Sequence, residues 1–314
     1  MQGDVAVSVV VPVFGDGRAL QELVNRTMAT LERRGEPWEI ILVNDGSPAP
    51  TWHCVREIGR HDPRIVGINL SRNFGQHNAL LAGIRLARGE AIVTLDDDLQ
   101  QPPEEIPRLL EALDSHDLVY GRPREATHGI WRDLATLLVK LALRAALGAA
   151  VSRDVSAFRA FRGRIARAFA DVRGPYVNVD VWLNWVTDNV AARDVVFEQR
   201  KYGKSQYSVA GLARHAVNML TGFSVWPLRL ASLIGFACTT VGLVLLCYVL
   251  GRYAWQGSSV PGFPFLASMI AIFSGAQLFA LGVMGEYLAR MYFRIMERPA
   301  YVIDAVADQR RDSD

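Results

Sequence analysis

The residues best equipped for chemistry stand together in the run Asp96-Asp97-Asp98-Leu99-Gln100-Gln101-Pro102-Pro103-Glu104-Glu105, directly after the apolar stretch Ile92-Val93-Thr94-Leu95. Three carboxylates and an amide at the end of a strand-type segment are hard oxygen donors, the set that suits Mg²⁺ or Mn²⁺. On an extended chain side chains alternate, which would put Asp96, Asp98 and Gln100 on one side and Asp97 on the other. The competing reading is a solvated acidic turn, with Pro102, Pro103, Glu104 and Glu105 opening the next helix.

The elements around this run decide between the two readings. Strand patterns cover 7–13, 38–44 and 64–70, and a fourth ends at the acidic run; helical patterns cover 19–34 and 77–88. Strands alternating with helices imply an α/β fold with a mostly parallel, doubly wound sheet. Phe14-Gly15-Asp16-Gly17, Asp45-Gly46-Ser47-Pro48 and Ser71-Arg72-Asn73-Phe74-Gly75 each follow a strand. Parallel topology brings such turns to one rim, so Asp16, Asp45, Arg72 and Asp96–Asp98 are expected to converge where ligands collect in open sheets.

A length of 314 residues and a hydrophobic fraction of 50% suggest a core domain plus an apolar addition. Residues 1–120 hold 11 Lys and Arg against 18 Asp and Glu, a net of −7, whereas 121–230 hold 17 against 8, a net of +9. An acidic part favours a cation and a basic part favours phosphate or anionic lipid. Three scattered cysteines suggest neither a disulfide framework nor a metal site. The N-terminus enters a strand pattern at once, so no signal peptide is expected.

Residues 230–251 and 265–284 carry no charge and are long enough to cross a bilayer. Lys201, Lys204, Arg214 and Arg229 precede the first stretch and Arg290, Arg294 and Arg298 follow the second, with only Arg252 between. The positive-inside rule then puts both ends in the cytoplasm and the hairpin loop outside, with Trp226, Tyr253, Trp255, Tyr287 and Tyr292 at the interfaces. A stripe of Arg132, Thr136, Lys140 and Arg144 within 131–147 reads as an interfacial amphipathic helix or one packed on the sheet, and 209–223 is a second candidate. From about Asp304 the chain reads as a polar tail without a core. The expected organisation is a catalytic domain over 1–208, a juxtamembrane helix over 209–229, a hairpin over 230–289 and a C-terminal segment over 290–314.

The succession Val11-Pro12-Val13-Phe14, Val43-Asn44-Asp45-Gly46-Ser47, Arg72-Asn73-Phe74-Gly75-Gln76-His77 and Leu95-Asp96-Asp97-Asp98-Leu99-Gln100 resembles the GT-A family 2 glycosyltransferases. Asp154-Val155-Ser156-Ala157-Phe158-Arg159, the 200–208 segment Arg200-Lys201-Tyr202-Gly203-Lys204-Ser205-Gln206-Tyr207-Ser208, Pro227-Leu228-Arg229 and Gly285-Glu286-Tyr287-Leu288-Ala289-Arg290 are further matches. With two spans, the likeness narrows to the polyprenyl-phosphate group that includes dolichyl-phosphate mannose synthase and bacterial undecaprenyl-phosphate transferases. It implies transfer of a sugar from a nucleotide donor, UDP favoured, to a polyprenyl phosphate at the cytoplasmic membrane, with inversion and without nucleic acid. Some family members are tetramers, which extends that assembly to this chain as an option.

The resemblance further implies a metal on Asp96, Asp98 and Gln100, and donor contacts from Pro12, Phe14, Asp16, Asp45, Arg72, Asp96 and Asp97. Asp16 stands where the family usually has glutamate, Gly15 where it has asparagine, and Asn44 where aspartate is common, departures that touch base and ribose recognition. Arg72 reads equally as a surface arginine. For the acceptor phosphate the candidates are Arg122, Arg124, Ser156, Arg159, Arg200 and Lys204, with Arg159, Arg200 and Lys204 ranked first; each single arginine could instead meet a headgroup. A processive polysaccharide synthase would need more spans and a Gln-x-x-Arg-Trp motif that the chain lacks. A non-catalytic scaffold would not need the acidic set.

Overall fold

The computed structural model describes residues 5–124, 155–170, 172, 174, 177–198, 225–256, 262–296 and 298–309. Within them the chain runs β1 (Val7–Val13), α1 (Leu20–Glu32), β2 (Trp38–Asn44), α2 (Ala49–His61), β3 (Ile65–Leu70), α3 (Gln76–Leu86), β4 (Ala91–Thr94), α4 (Ile106–Leu113) and β5 (Leu118–Pro123). There follow β6 (Arg159–Arg162), a short α5 (Gly163–Ala166), α6 (Val179–Val186), β7 (Val190–Val195), α7 (Trp226–Gln256), α8 (Phe263–Ile295) and β8 (Ile303–Ala307).

The eight strands form one sheet in the order β7-β5-β6-β4-β1-β2-β3-β8. Strands β1 to β4 are mutually parallel in the order 3-2-1-4, and β6 enters antiparallel between β4 and β5. All seven residues of β1 and of β2 are buried, the signature of a sheet covered on both faces. Alternation splits them between two cores. Val9, Val11, Val13, Ile40 and Leu42 pack with Leu20, Leu23, Val55 and Leu109, whereas Val10, Ile41 and Val43 pack with Leu80, Leu81, Ile84 and Phe161. Pro12 is tolerated in a central strand because pairing of β1 with β4 has already ended at Val10 and Thr94.

At the amino end of the sheet a buried carboxylate fastens three segments. Glu39 accepts from Ser8 Oγ at 2.7 Å, from Arg88 N at 2.8 Å and from Arg88 Nη2 at 2.9 Å, which ties β1 and β2 to the α3–β4 connection. Arg88→Ala removes the counter-ion of a carboxylate that is 1% exposed. Because the arginine itself is partly in water, the expected cost is about 2 kcal/mol rather than the full value of a buried pair. A lower thermal midpoint in detergent checks this; an unchanged midpoint contradicts it.

Among the described residues two helices are long and apolar enough to cross a membrane: Trp226–Arg252, of mean hydropathy 2.3, and Ile272–Tyr292, of 1.3, neither buried within the protein. The first extends beyond the charge-free core 230–251 expected from sequence, whereas the second is shifted C-terminally from the expected 265–284 and takes in Glu286 and Arg290. The two pack on each other closely enough that a side chain at Gly242 would meet the Phe273 ring at 3.0 Å.

The C-terminal segment corrects the sequence reading. Instead of a coreless tail, Ile303–Ala307 adds antiparallel to β3, with Gly67 opposite Ala307 and Leu70 opposite Ile303. Asn69 Nδ2 donates to Asp304 Oδ2 at 3.0 Å, and Ala300 is buried against the α3 face. An open β3 edge is thereby covered, and the chain returning from α8 is anchored beside the carboxyl end of β3.

Candidate active site

The acidic run lies where the parallel strands end, but its local form differs from the alternating strand expected. β4 stops at Thr94, and Asp97 to Gln100 form a turn. The turn is fixed by Leu99, whose φ of 60° is left-handed while its side chain is fully buried in the core of Ile106 and Leu109. That conformation costs an L-residue roughly 1 kcal/mol or more, which burial of the leucine offsets. Plunging Leu99 into the core turns its acidic neighbours to the rim.

Each carboxylate then has its own role. Asp96 accepts from Gln76 Nε2 at 2.6 Å on one oxygen and from Gln101 Nε2 at 2.9 Å on the other, while its own N–H donates to Gln101 Oε1 at 2.8 Å. Withdrawal from water pushes its pKa up to about 7, with the Asp98 and Asp97 carboxylates adding to the shift. Asp97 does not turn away from the site: its Oδ2 accepts from Phe14 N at 3.0 Å and so fastens the β1–α1 loop to the acidic turn. Asp98 Oδ1 accepts from Gln100 N at 3.1 Å. Gln100 also accepts through its backbone from Glu198 N at 2.9 Å, while Gln101 embraces Asp96 through its side-chain amide. The sequence reading had not singled out Gln101 or Gln76.

The donor-side candidates gather on the same rim. Asp45 is buried and accepts from Phe74 N at 2.7 Å and Gly75 N at 2.9 Å, one bond to each oxygen. Burial pushes its pKa up and the two N–H groups oppose this. The turn and loop touch so closely that a Cβ on Gly46, at φ +65°, would lie 2.3 Å from the Arg72 carbonyl carbon. Arg72 stacks its guanidinium 4.6 Å from the Phe74 ring. Phe14 is 44% exposed at the rim, and Asp16, exposed, accepts from Arg18 Nε at 2.6 Å, which lowers its pKa.

Among the basic candidates, Arg159 requires correction. It is 1% exposed, donates from Nε to Thr94 Oγ1 at 3.1 Å, and pairs through Nη1 with Asp180. A side chain so enclosed does not reach an acceptor phosphate at the surface. Tyr120, Asn184 and Asp180 complete this cluster, and none had been marked in the sequence. Arg122 is exposed and pairs with Asp194 at 2.7 Å; Arg124 is exposed; Ser156 Oγ accepts from Phe158 N at 3.2 Å. Arg200 and Lys204, and both candidate amphipathic helices, lie outside the described residues.

The donor set fits a hard divalent cation. Three adjacent carboxylates crowd one turn; burial is the main cause of the raised Asp96 pKa, and the repulsion from Asp98 and Asp97 that adds to it is what a bound cation would relieve. Among the described residues no group of three or more His, Cys, Asp or Glu forms a metal cage.

Residues 8–169 match the model of the family described as glycosyl transferase family 2. The chain belongs to that family. A glycosyltransferase of this kind from Pectobacterium carotovorum, undecaprenyl-phosphate 4-deoxy-4-formamido-L-arabinose transferase, is 34% identical over 302 residues, 95% of this chain and 92% of the relative. The protein of the same name from Pseudomonas aeruginosa is 35% identical over 96% of this chain and 90% of its own length. Among solved structures, glucosyl-3-phosphoglycerate synthase from Mycobacterium tuberculosis in complex with Mn²⁺, UDP and phosphoglyceric acid aligns with a TM-score of 0.51 at 20% identity, over 69% of this chain and 78% of that one. The enzyme is thus a membrane glycosyltransferase with a GT-A domain, as its family, its relatives and its two candidate spans establish.

Proposed function

We propose that this glycosyltransferase moves a sugar from a nucleotide-diphosphate donor, UDP-linked, to a polyprenyl phosphate, undecaprenyl phosphate first, at the cytoplasmic face of the inner membrane. The observation that carries the reading is extent of likeness: similarity to the undecaprenyl-phosphate transferases runs through 95% of the chain, spans included, whereas the family model stops at residue 169. A transferase acting on a soluble acceptor has no need of the hairpin.

Asp98, with Asp96 and Gln100, would hold Mg²⁺ or Mn²⁺ against the donor diphosphate. When bound, that ion supplies Lewis-acid neutralisation of the charge gathering on the departing diphosphate. Gln76 and Gln101 keep Asp96 in one orientation. Pro12, Phe14, Asp16 and Arg72, with Asp45 and Asp97 bracing the loops, would form the nucleotide side. The lipid phosphate is already anionic, so its oxygen attacks the anomeric carbon without a strong general base. The bond from that carbon to the diphosphate breaks, and the nucleoside diphosphate departs with the electron pair. Ser156, Arg122, Arg124, Arg200 and Lys204 are the groups assigned to align the phosphate.

The enzyme in membranes, supplied with undecaprenyl phosphate, Mn²⁺ and radiolabelled UDP- and GDP-sugars, 4-deoxy-4-formamido-L-arabinose among them, is expected to move label into organic solvent. A complete panel without extractable product overturns the proposal.

The raised Asp96 gives a sign-definite pH effect. With its folded pKa near 7 and an ordinary unfolded value near 4, the folded protein holds the extra proton between those values. The associated stability is present below about pH 4 and is lost as pH rises through about 7. Thermal midpoints of cation-free protein should therefore fall across that window, and Asp96→Asn should flatten the fall. An identical profile in the variant would contradict the assignment.

A further inference from the structure

We propose that the buried Arg159–Asp180 pair is a positioning device for the acidic turn, acting through Asp96, and not part of the acceptor site. The inference rests on the metal-and-donor reading of that turn given above. Arg159 opens β6 directly opposite Thr94, two residues before Asp96. Its Nε donates to Thr94 Oγ1, which in turn donates to Ala157 O at 2.8 Å. Its Nη1 meets Asp180 in the first turn of α6, where Tyr120 Oη also donates to the same carboxylate oxygen at 3.3 Å. Asn184 Nδ2 donates to Tyr120 Oη at 2.9 Å and to Asp180 O at 2.7 Å.

A second path joins the same two places. Asn178 caps α6 by accepting from Val181 N at 3.1 Å, and Val179 N donates to His77 Nδ1 at 3.3 Å. His77 follows Gln76, the residue that donates to Asp96. The start of α6 is therefore bound to the acidic turn from beneath, through Arg159 and Thr94, and from the side, through His77 and Gln76.

A buried ion pair is weak evidence for a stability role, since well-packed apolar replacements are often neutral or stabilising. This separates the two explanations. Arg159→Met alone leaves Asp180 uncompensated and is expected to lower both the thermal midpoint and kcat. The double variant R159M/D180L is expected to regain most of the midpoint while kcat stays about 30-fold or more below wild type and donor KM moves less than about threefold. Mn²⁺ binding in the presence of UDP, followed by loss of the free-ion EPR signal, should be weakened about tenfold in the double variant. Recovery of kcat and Mn²⁺ binding together with the midpoint would overturn the proposal.

Thr94→Val removes only the hydroxyl link and serves if the double variant does not fold. A fall in kcat of about fivefold at a nearly unchanged midpoint supports the proposal, and kcat within twofold of wild type overturns it. Failure of the functional reading is distinguishable, because there the wild-type enzyme itself yields no lipid-linked sugar.

Discussion

Asp98→Asn is expected to lower kcat about 1,000-fold with the fold intact, the loss typical of removing a principal charge-stabilising group. The substitution is nearly isosteric, and its remaining oxygen can still accept from Gln100 N as Asp98 Oδ1 does now. The turn is held independently by the buried Leu99 side chain and by the Gln101 clamp on Asp96. What disappears is the negative charge offered to a cation at the rim. A second signature accompanies it: Asp98 is the charged neighbour that contributes most to the raised Asp96 pKa, so that value should fall towards the ordinary carboxylate range in the variant. Turnover under saturating donor, with a melting curve as the folding control, checks the prediction. Undiminished turnover would remove Asp98 from the cation site.

Asp45→Ala is expected to raise donor KM about 30-fold while changing kcat much less. Asp45 accepts from two consecutive backbone N–H groups, at Phe74 and Gly75, and holds the loop that carries Arg72. Hydrogen bonds to a charged group contribute about 1.5–3 kcal/mol each; losing about 2 kcal/mol of loop order corresponds to roughly 30-fold in binding. The close approach of Gly46 to Arg72 and Asn73 leaves the loop little alternative seating, so its release is felt at the donor side. Asp45→Asn keeps one acceptor and should fall between the two. Donor KM within twofold of wild type in the alanine variant would show that the loop does not need this anchor.

The rim was legible in the sequence because parallel topology allows few outcomes. β1 and β2 have the expected bounds, and their turns, with that of β3, meet the acidic run on one edge. What escaped depended on partners distant in sequence or on departures from a regular period. The motif Ser156-Ala157-Phe158-Arg159 reads as a basic contact, and nothing in one dimension marks Asp180 as its buried counter-ion. Alternation failed at Asp96–Gln100 because the strand ends two residues early and Leu99 takes a left-handed φ that only the folded core rewards. Gln101, whose contact with Asp96 depends on that turn, stands outside the alternating pattern for that reason. β8 hid behind Asp304, although alternation of Ile303, Ala305 and Ala307 with Asp304 and Val306 is a short strand pattern, one that gains meaning only beside the free edge of β3.

The identity of the nucleotide released during lipid glycosylation tests the central claim most directly. Attack by a lipid phosphate oxygen on the anomeric carbon leaves both donor phosphates with the nucleoside. The enzyme incubated with undecaprenyl phosphate, its active donor and Mn²⁺ should therefore release nucleoside diphosphate in equal amount to a lipid carrying one phosphate and one sugar, both read by mass spectrometry. Nucleoside monophosphate with a lipid diphosphate-sugar would contradict it, because the bond broken would then lie within the diphosphate and not at the sugar.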